Sequence, residues 1–358
     1  MFFVRESTIA VLFTATALLT LDAAAAFADP GKPVVLPTVS LVAISMAGAK
    51  GTITSFDAPD ALQTEGLGIN RSGDIVGWYL DQKFVDHSYL RLADGTVTTI
   101  DPPQSDGSSL AIALNDRLQI AGLYADAQGV VHGYLRTAKG KFTTLDDPEA
   151  GTSTGEGTWL TALNNAGLVT GQYVDSGGVP HGYVRTADGT FANFDPSGAI
   201  QTTPTAINDA GSVAGYFEDA NKVQHGFVRT TDGTIEAFDP PKSTETWAYG
   251  INAKGEITGS YFKGADQGHG YSRSADGTIV SFQPDGPEAI NSKGTIAGLF
   301  YNGSTFRAFV RKAGGHTTIF DAPDAASGTF ANAINNSGAV AGDYEDASGI
   351  WHGFVRVP

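Results

Sequence analysis

Six histidines stand at one recurring place in the chain: His87, His132, His181, His225, His269 and His352. Each precedes Gly-Tyr or Gly-Phe (Ser-Tyr after His87), and in the first five a carboxylate or amide lies 14 residues on: Asp101, Asp146, Asp195, Asp239 and Gln283. An imidazole beside a carboxylate suits general-base catalysis or metal ligation. Two features point elsewhere. Arg307 takes the histidine place once, with Asp321 14 residues on, and a guanidinium has no lone pair to offer a proton or a metal. A site also has no need of seven copies. Counting outward from the turn at Thr231-Asp232-Gly233 sets His225 opposite Asp239 in a hairpin. The same count pairs the other copies, and it sends His352 back to Asp57 at the start of the repeats. Cross-strand polar pairs of this kind contribute roughly 0.2–1 kcal/mol each. An arginine follows every slot by four residues, from Arg91 to Arg356, and it reads as a hydrogen-bond donor to a turn or a neighbouring sheet.

The elements that position these residues come from an internal repeat. Residues 51–358 divide into seven copies averaging 44 residues. A short apolar segment ends at Asn70, Asn115, Asn164, Asn208, Asn252, Asn291 or Asn335, and Gly follows three residues later except at Leu118. Next come I/V-x-G-x-Y-like strands, an acidic loop, the H-G-Y/F-x-R segment, a turn such as T-A-D-G, and a last strand ending in Phe-Asp. Asn-x-x-Gly and Asp-Gly favour turns closed by a left-handed glycine. The period suits one four-stranded propeller blade. The expected fold is all-β, a seven-bladed propeller of four-stranded antiparallel blades. Its first strand, Thr52–Asp57, completes the last blade after Val355 and leaves no open edge.

The signature at His225-Gly226-Phe227 and Arg307-Ala308-Phe309, with the period near 44, resembles the HAF-repeat family of extracellular bacterial proteins. The resemblance covers residues 51–358. It implies secretion and repeat architecture, and it carries no catalytic residues across.

Positions that differ between copies are the better site candidates. Five and three residues before the Asn, the first strand varies most: Glu65, Trp159, Trp247, Tyr249, Glu288 and Phe330 lie at these two places. With Glu156 and Glu245 from the loops leading in, they are expected to form a central rim of aromatic rings and carboxylates. Ring faces stack on sugar C–H groups and carboxylates accept hydroxyl protons, so a glycan is the leading ligand class; the competing reading has the rings plug the channel. Glu245 and Glu288 are the catalytic candidates if the rim carries acid–base chemistry. The acidic loops at Asp81, Asp126, Asp175, Asp219, Asp266 and Asp346 offer one carboxylate each, short of the 6–8 oxygens calcium takes. They read as solvated turns, and no metal or cofactor is expected. Gly151–Gly155 fits G-x-S-x-G without the strand-to-helix elbow that motif needs.

The 38 acidic against 22 basic residues, net −16, disfavour nucleic acid and anionic membrane as partners. With no cysteine, disulfides and thiol chemistry are excluded. Residues 1–28 read as a signal peptide cleaved after Ala28, with a 14-residue apolar run from Thr8. Residues 29–50 read as a linker or extra edge strand. The expectation is a periplasmic or extracellular monomer acting as a binding module for a neutral or cationic ligand or a protein. A carbohydrate-active hydrolase or lyase is the second reading, and a structural cell-envelope protein the third.

Overall fold

The computed structural model describes residues 51–264 and 268–358. The leader, the 29–50 segment and Asp266 lie outside the described residues. Among those described, the chain forms 28 strands and no helix. β1 (Thr52–Phe56) precedes a series of antiparallel meanders. The first is β2 (Ala61–Ile69), β3 (Ile75–Asp81), β4 (Asp86–Arg91) and β5 (Val97–Thr99). The second is β6 (Ser109–Leu114), β7 (Ile120–Ala125), β8 (Val131–Arg136) and β9 (Phe142–Leu145). The third is β10 (Gly157–Leu163), β11 (Val169–Val174), β12 (Pro180–Arg185) and β13 (Phe191–Phe194). Then follow β14 (Ala199–Ile207), β15 (Val213–Asp219), β16 (Gln224–Arg229) and β17 (Ile235–Phe238). Next are β18 (Glu245–Ile251), β19 (Ile257–Phe262), β20 (His269–Arg273) and β21 (Ile279–Phe282). After them come β22 (Gly286–Ile290), β23 (Ile296–Tyr301), β24 (Phe306–Arg311) and β25 (Thr317–Phe320). The last three are β26 (Gly328–Ile334), β27 (Val340–Glu345) and β28 (Trp351–Val357). β1 pairs antiparallel with β28, Ile53 against Arg356 and Thr54 against Val355.

Two repeated apolar positions build the core. The residue opening the second strand (Ile75, Ile120, Val169, Val213, Ile257, Ile296, Val340) is buried in every copy. The aromatic ring of the third strand (Tyr89, Tyr134, Tyr183, Phe227, Tyr271, Phe309, Phe354) has no exposed surface in any copy. Burying such side chains stabilises by roughly 1.5–3 kcal/mol each. In four copies the ring is a Tyr, and each disposes of its buried hydroxyl; Tyr183 and Tyr271, for example, donate to the carbonyls of Trp159 and Trp247.

The first strand of each unit carries a bulge at one fixed place. Pairing skips Leu67, Ile112, Thr161, Thr205, Tyr249, Glu288 and Asn332, the residue three before the Asn. A bulge bends its strand and re-aims the extra side chain. Here it aims at the next unit: Thr161 Oγ1 donates to Pro204 O at 2.9 Å, Thr205 Oγ1 to Ala248 O at 2.9 Å and Asn332 Nδ2 to Gly66 O at 3.0 Å. The turn that follows is held by the Asn, whose Oδ1 accepts backbone N–H groups two and four residues on, as Asn164 does from Ala166 and Leu168.

Candidate functional site

The histidines lie in clamps. His87 Nδ1 is 2.6 Å from Asp101, His132 2.8 Å from Asp146, His181 2.7 Å from Asp195 and His225 2.7 Å from Asp239. His352 Nδ1 is 2.9 Å from Asp57, joining the two ends of the described chain. Gln283 Nε2 stands 3.5 Å from His269 Nδ1. Arg307 makes a two-atom contact with Asp321, its Nε 2.9 Å from Oδ1. The other ring nitrogen faces the acidic loop, with Nε2 of His87 3.5 Å from Asp81 and that of His132 3.4 Å from Asp126. Those loop carboxylates are already engaged, since each caps its own turn: Asp81 Oδ1 accepts from Lys83 and Val85, Asp219 Oδ1 from Asn221 and Val223. Each histidine ring also packs on an aromatic ring one strand away, as His87 does on Tyr79 at 5.0 Å between centroids. With both nitrogens and one face occupied, the five imidazoles paired with an aspartate tie the second, third and fourth strands together.

The arginines stack. Arg91, Arg229, Arg273, Arg311 and Arg356 lie 4.5–5.0 Å above Phe56, Phe194, Phe238, Phe282 and Phe320, each on the preceding sheet. Where that ring is missing, at Ile100 and Leu145, Arg136 and Arg185 lie over Phe142 and Phe191 of their own sheet, at 5.8 and 5.7 Å. The exchange preserves a cation over a ring, worth about 0.5–2 kcal/mol.

The rim candidates separate into three groups. Trp159 and Trp247 keep only 8% and 9% of their surface. Trp159 belongs to the core cluster containing Leu123 and Tyr173, and Trp247 meets Phe262 edge-on at 5.5 Å. The expectation of two open tryptophan walls therefore gives way to packing. Glu156 turns back on its loop, its carboxylate accepting from Ser153 N at 2.7 Å. Glu245 opens β18, where burial raises its pKa.

The remaining candidates converge with residues not singled out in the sequence. Phe330 stands opposite Asp343 across the β26–β27 pair. Its ring meets Trp351 at 5.1 Å and Phe306 at 5.4 Å, and Phe306 meets Tyr301, which is 52% exposed, at 5.3 Å. An aromatic run thus leads from the surface inward. At its inner end Asp343, 3% exposed, accepts from Asn332 Nδ2 at 2.6 Å. Burial, then the neighbouring Glu65 charge, raises the Asp343 pKa well above the carboxylate range. Burial likewise pushes Glu65 up to about 7 against a hydrogen bond from Trp78, its cross-strand partner, and Glu288 up to about 8. Some surface of Glu65 and Glu288 remains open, yet they sit deep enough for lost hydration to dominate. Tyr249 is the one aromatic among the bulged residues, close enough to Glu288 for that carboxylate to raise its pKa after burial does. Asp343 had a sequence signal: its column in the second strand (Trp78, Leu123, Gln172, Tyr216, Ser260, Leu299, Asp343) also varies, and it faces the variable column of the first strand.

These groups set the direction of the pH dependence. A carboxyl whose folded pKa is raised binds its proton more tightly when folded, so stability falls as pH climbs from the unfolded to the folded value. Glu65 and Glu288 act from 4.5 up to about 7 and about 8. Burial lowers the His352 pKa, but Asp57 and Asp346 outweigh it and the net shift is upward; its contribution is complete below 6.5 and lost as pH rises through the folded value. Asp276, lowered to about 2 by Ser274 and Thr278, stabilises above 3.8 and ceases to as pH falls toward 2. Thermal unfolding followed from pH 3 to 9 is expected to show a maximum near about pH 4–5 and a decline toward pH 8. Glu288→Gln is expected to shallow that decline; an unchanged slope would remove Glu288 from this account.

The fold is similar to that of streptogramin B lyase, at 15% identity and TM-score 0.57, over 86% of this chain and 98% of that one. Virginiamycin B lyase from Staphylococcus aureus matches at 12% identity and TM-score 0.57, over 86% and 100%. TolB from Acinetobacter baumannii matches at 13% and 0.52, over 69% of this chain and 63% of its own. These are propeller-like proteins, and at such identities the likeness concerns the fold alone. No protein-family model and no curated protein sequence matches the chain.

Proposed function

We propose that residues 51–358 form a closed seven-bladed propeller, exported from the cell, that acts as a binding module for a neutral glycan at its central rim. The observation that carries this reading is the aromatic run Tyr301, Phe306, Phe330 and Trp351 ending at Asp343 and Asn332. Rings offer faces to sugar C–H groups, while a buried carboxyl kept uncharged, beside an amide, serves hydroxyls as donor and acceptor. Closure is supported by the β1–β28 pairing and by Asn335 Nδ2 donating to Asn70 O at 2.9 Å. Export is supported by the charged, apolar and small-residue order of residues 1–28. On a glycan array the wild type is expected to retain a defined set of neutral glycans, and Phe330→Ala with Trp351→Ala to weaken them by about tenfold or more. Equal retention by the variants, or no glycan held by the wild type, would refute the rim as the site.

One observation favours an extracellular hydrolase or lyase as the second reading: Glu65 and Asp343 are two carboxyls in electrostatic contact, both raised. Such a pair can hold one proton and share acid and base roles. Turnover on a polysaccharide panel, lost in Glu65→Gln while glycan retention persists, would select it.

A further inference from the structure

A second cleft opens at the opposite ends of the same strands, beside the asparagine turns. It encloses about 610 Å³ between the sixth and seventh units, within the usual range for small-ligand sites. Lys293, Lys312, His316 and Arg356 line it with Val310 and Pro358, and none of its lining residues is acidic. In a chain of net charge −16 this grouping is anomalous.

The repeat shows how it arose. In four copies the turn after the third strand carries Asp94, Asp188, Asp232 or Asp276, and the last three accept from a Thr or Ser hydroxyl two residues before. The sixth copy has Gly314 in that place. Lys312 replaces the Thr or Ser, and His316 replaces the threonine that follows the turn glycine in four other copies. His316 is also the one histidine of the seven outside the clamp positions. The turn has therefore lost its carboxylate and gained a lysine ammonium and an imidazole at once. Lys293 faces the same cleft from the asparagine turn of the same unit, and Arg356 closes it from β28, stacked on Phe320. The framework needs none of this, since the third, fourth and fifth units form the same turn with Asp and Thr.

We propose that this cleft binds an organic carboxylate of sugar size, its anionic group held by Lys293, Lys312 and His316 and its body lying on Val310, Ala313 and Pro358. Lysine ammonium groups attract anions as point charges, and the aliphatic wall gives the cleft a preference for a body over a bare ion. The site lies away from the glycan rim, so either can fail alone.

The test uses the full chain and sodium glucuronate, with glucose and sodium sulfate as comparators at matched ionic strength. Saturable shifts of the His316 ring resonances are expected with glucuronate, and weaker ones with sulfate or glucose. Lys293→Gln with Lys312→Gln, both exposed positions, is expected to weaken glucuronate binding by about tenfold; raising salt should weaken it as well. Glucose binding equal to glucuronate, an unchanged affinity in the double variant, or no saturation would overturn the site. Sulfate binding as tightly as glucuronate would overturn recognition of the body.

Discussion

Gly171→Ala is expected to destabilise the protein by at least about 3 kcal/mol, while Gly314→Ala changes little. A methyl group at 171 would collide with the carbonyl oxygen of Trp159, and the next atoms it meets, Leu160 Cα at 2.9 Å and Trp159 C at 3.0 Å, are backbone too. No rotamer change can clear them. The collision recurs in every copy: Gly77, Gly122, Gly215, Gly259, Gly298 and Gly342 each face the carbonyl of the residue five before the Asn. The cause is the bulge, which presses the first strand against the second where Leu160 opposes Gly171. Gly314, by contrast, would meet nothing within 4 Å. Urea unfolding of the two variants decides it. A Gly171→Ala midpoint near wild type would mean that the strands have room to separate, and that the bulged residues are less firmly aimed than their bonds to the next unit imply.

That glycine was legible in the sequence as part of I/V-x-G-x-Y, but its reason was not. A strand glycine can mark a bulge, a bend or a close approach, and only the register tells which. The His–Asp pairs were readable because a hairpin converts spacing along the chain into spacing across strands; His225 and Asp239 needed only a turn and a count. The rim was harder. Trp159 differs from its counterparts and so looked like a site residue, yet whether its ring is open depends on what the preceding unit sets against it, among them Leu123. Asp343 escaped notice for the reverse reason. It lies in a strand that otherwise reads as framework, and its pairing with Phe330 and its approach to Glu65 depend on contacts between strands and between units. The compensation between Ile100 or Leu145 and Phe142 or Phe191 was likewise written in the sequence, but it becomes meaningful only once an arginine is seen to reach the sheet before its own.

Asn164→Ala is expected to cost about 2–4 kcal/mol, because one side chain serves two units. Its Oδ1 closes its own turn, and its Nδ2 donates to Asn208 O at 2.9 Å on the next. Asn208 donates in turn to Asn252 O at 3.1 Å, Asn252 to Asn291 O at 3.0 Å and Asn291 to Asn335 O at 3.0 Å. Asparagine is needed because the two ends of the group must differ, with an acceptor toward the turn and a donor toward the neighbour. Asn164→Asp separates the two roles. Its carboxylate would still cap the turn, but the second oxygen would face a carbonyl, a contact that becomes a hydrogen bond only when the acid is protonated. The folded state should then bind that proton more tightly than the unfolded chain, so the variant gains stability relative to wild type as pH falls from 7 toward 4. Asn164→Ala has no proton to gain and should show the same deficit at both ends. Parallel losses for the two variants at pH 4 and pH 7 would mean that the turn alone requires Asn164, and that the bond between units contributes little to holding them together.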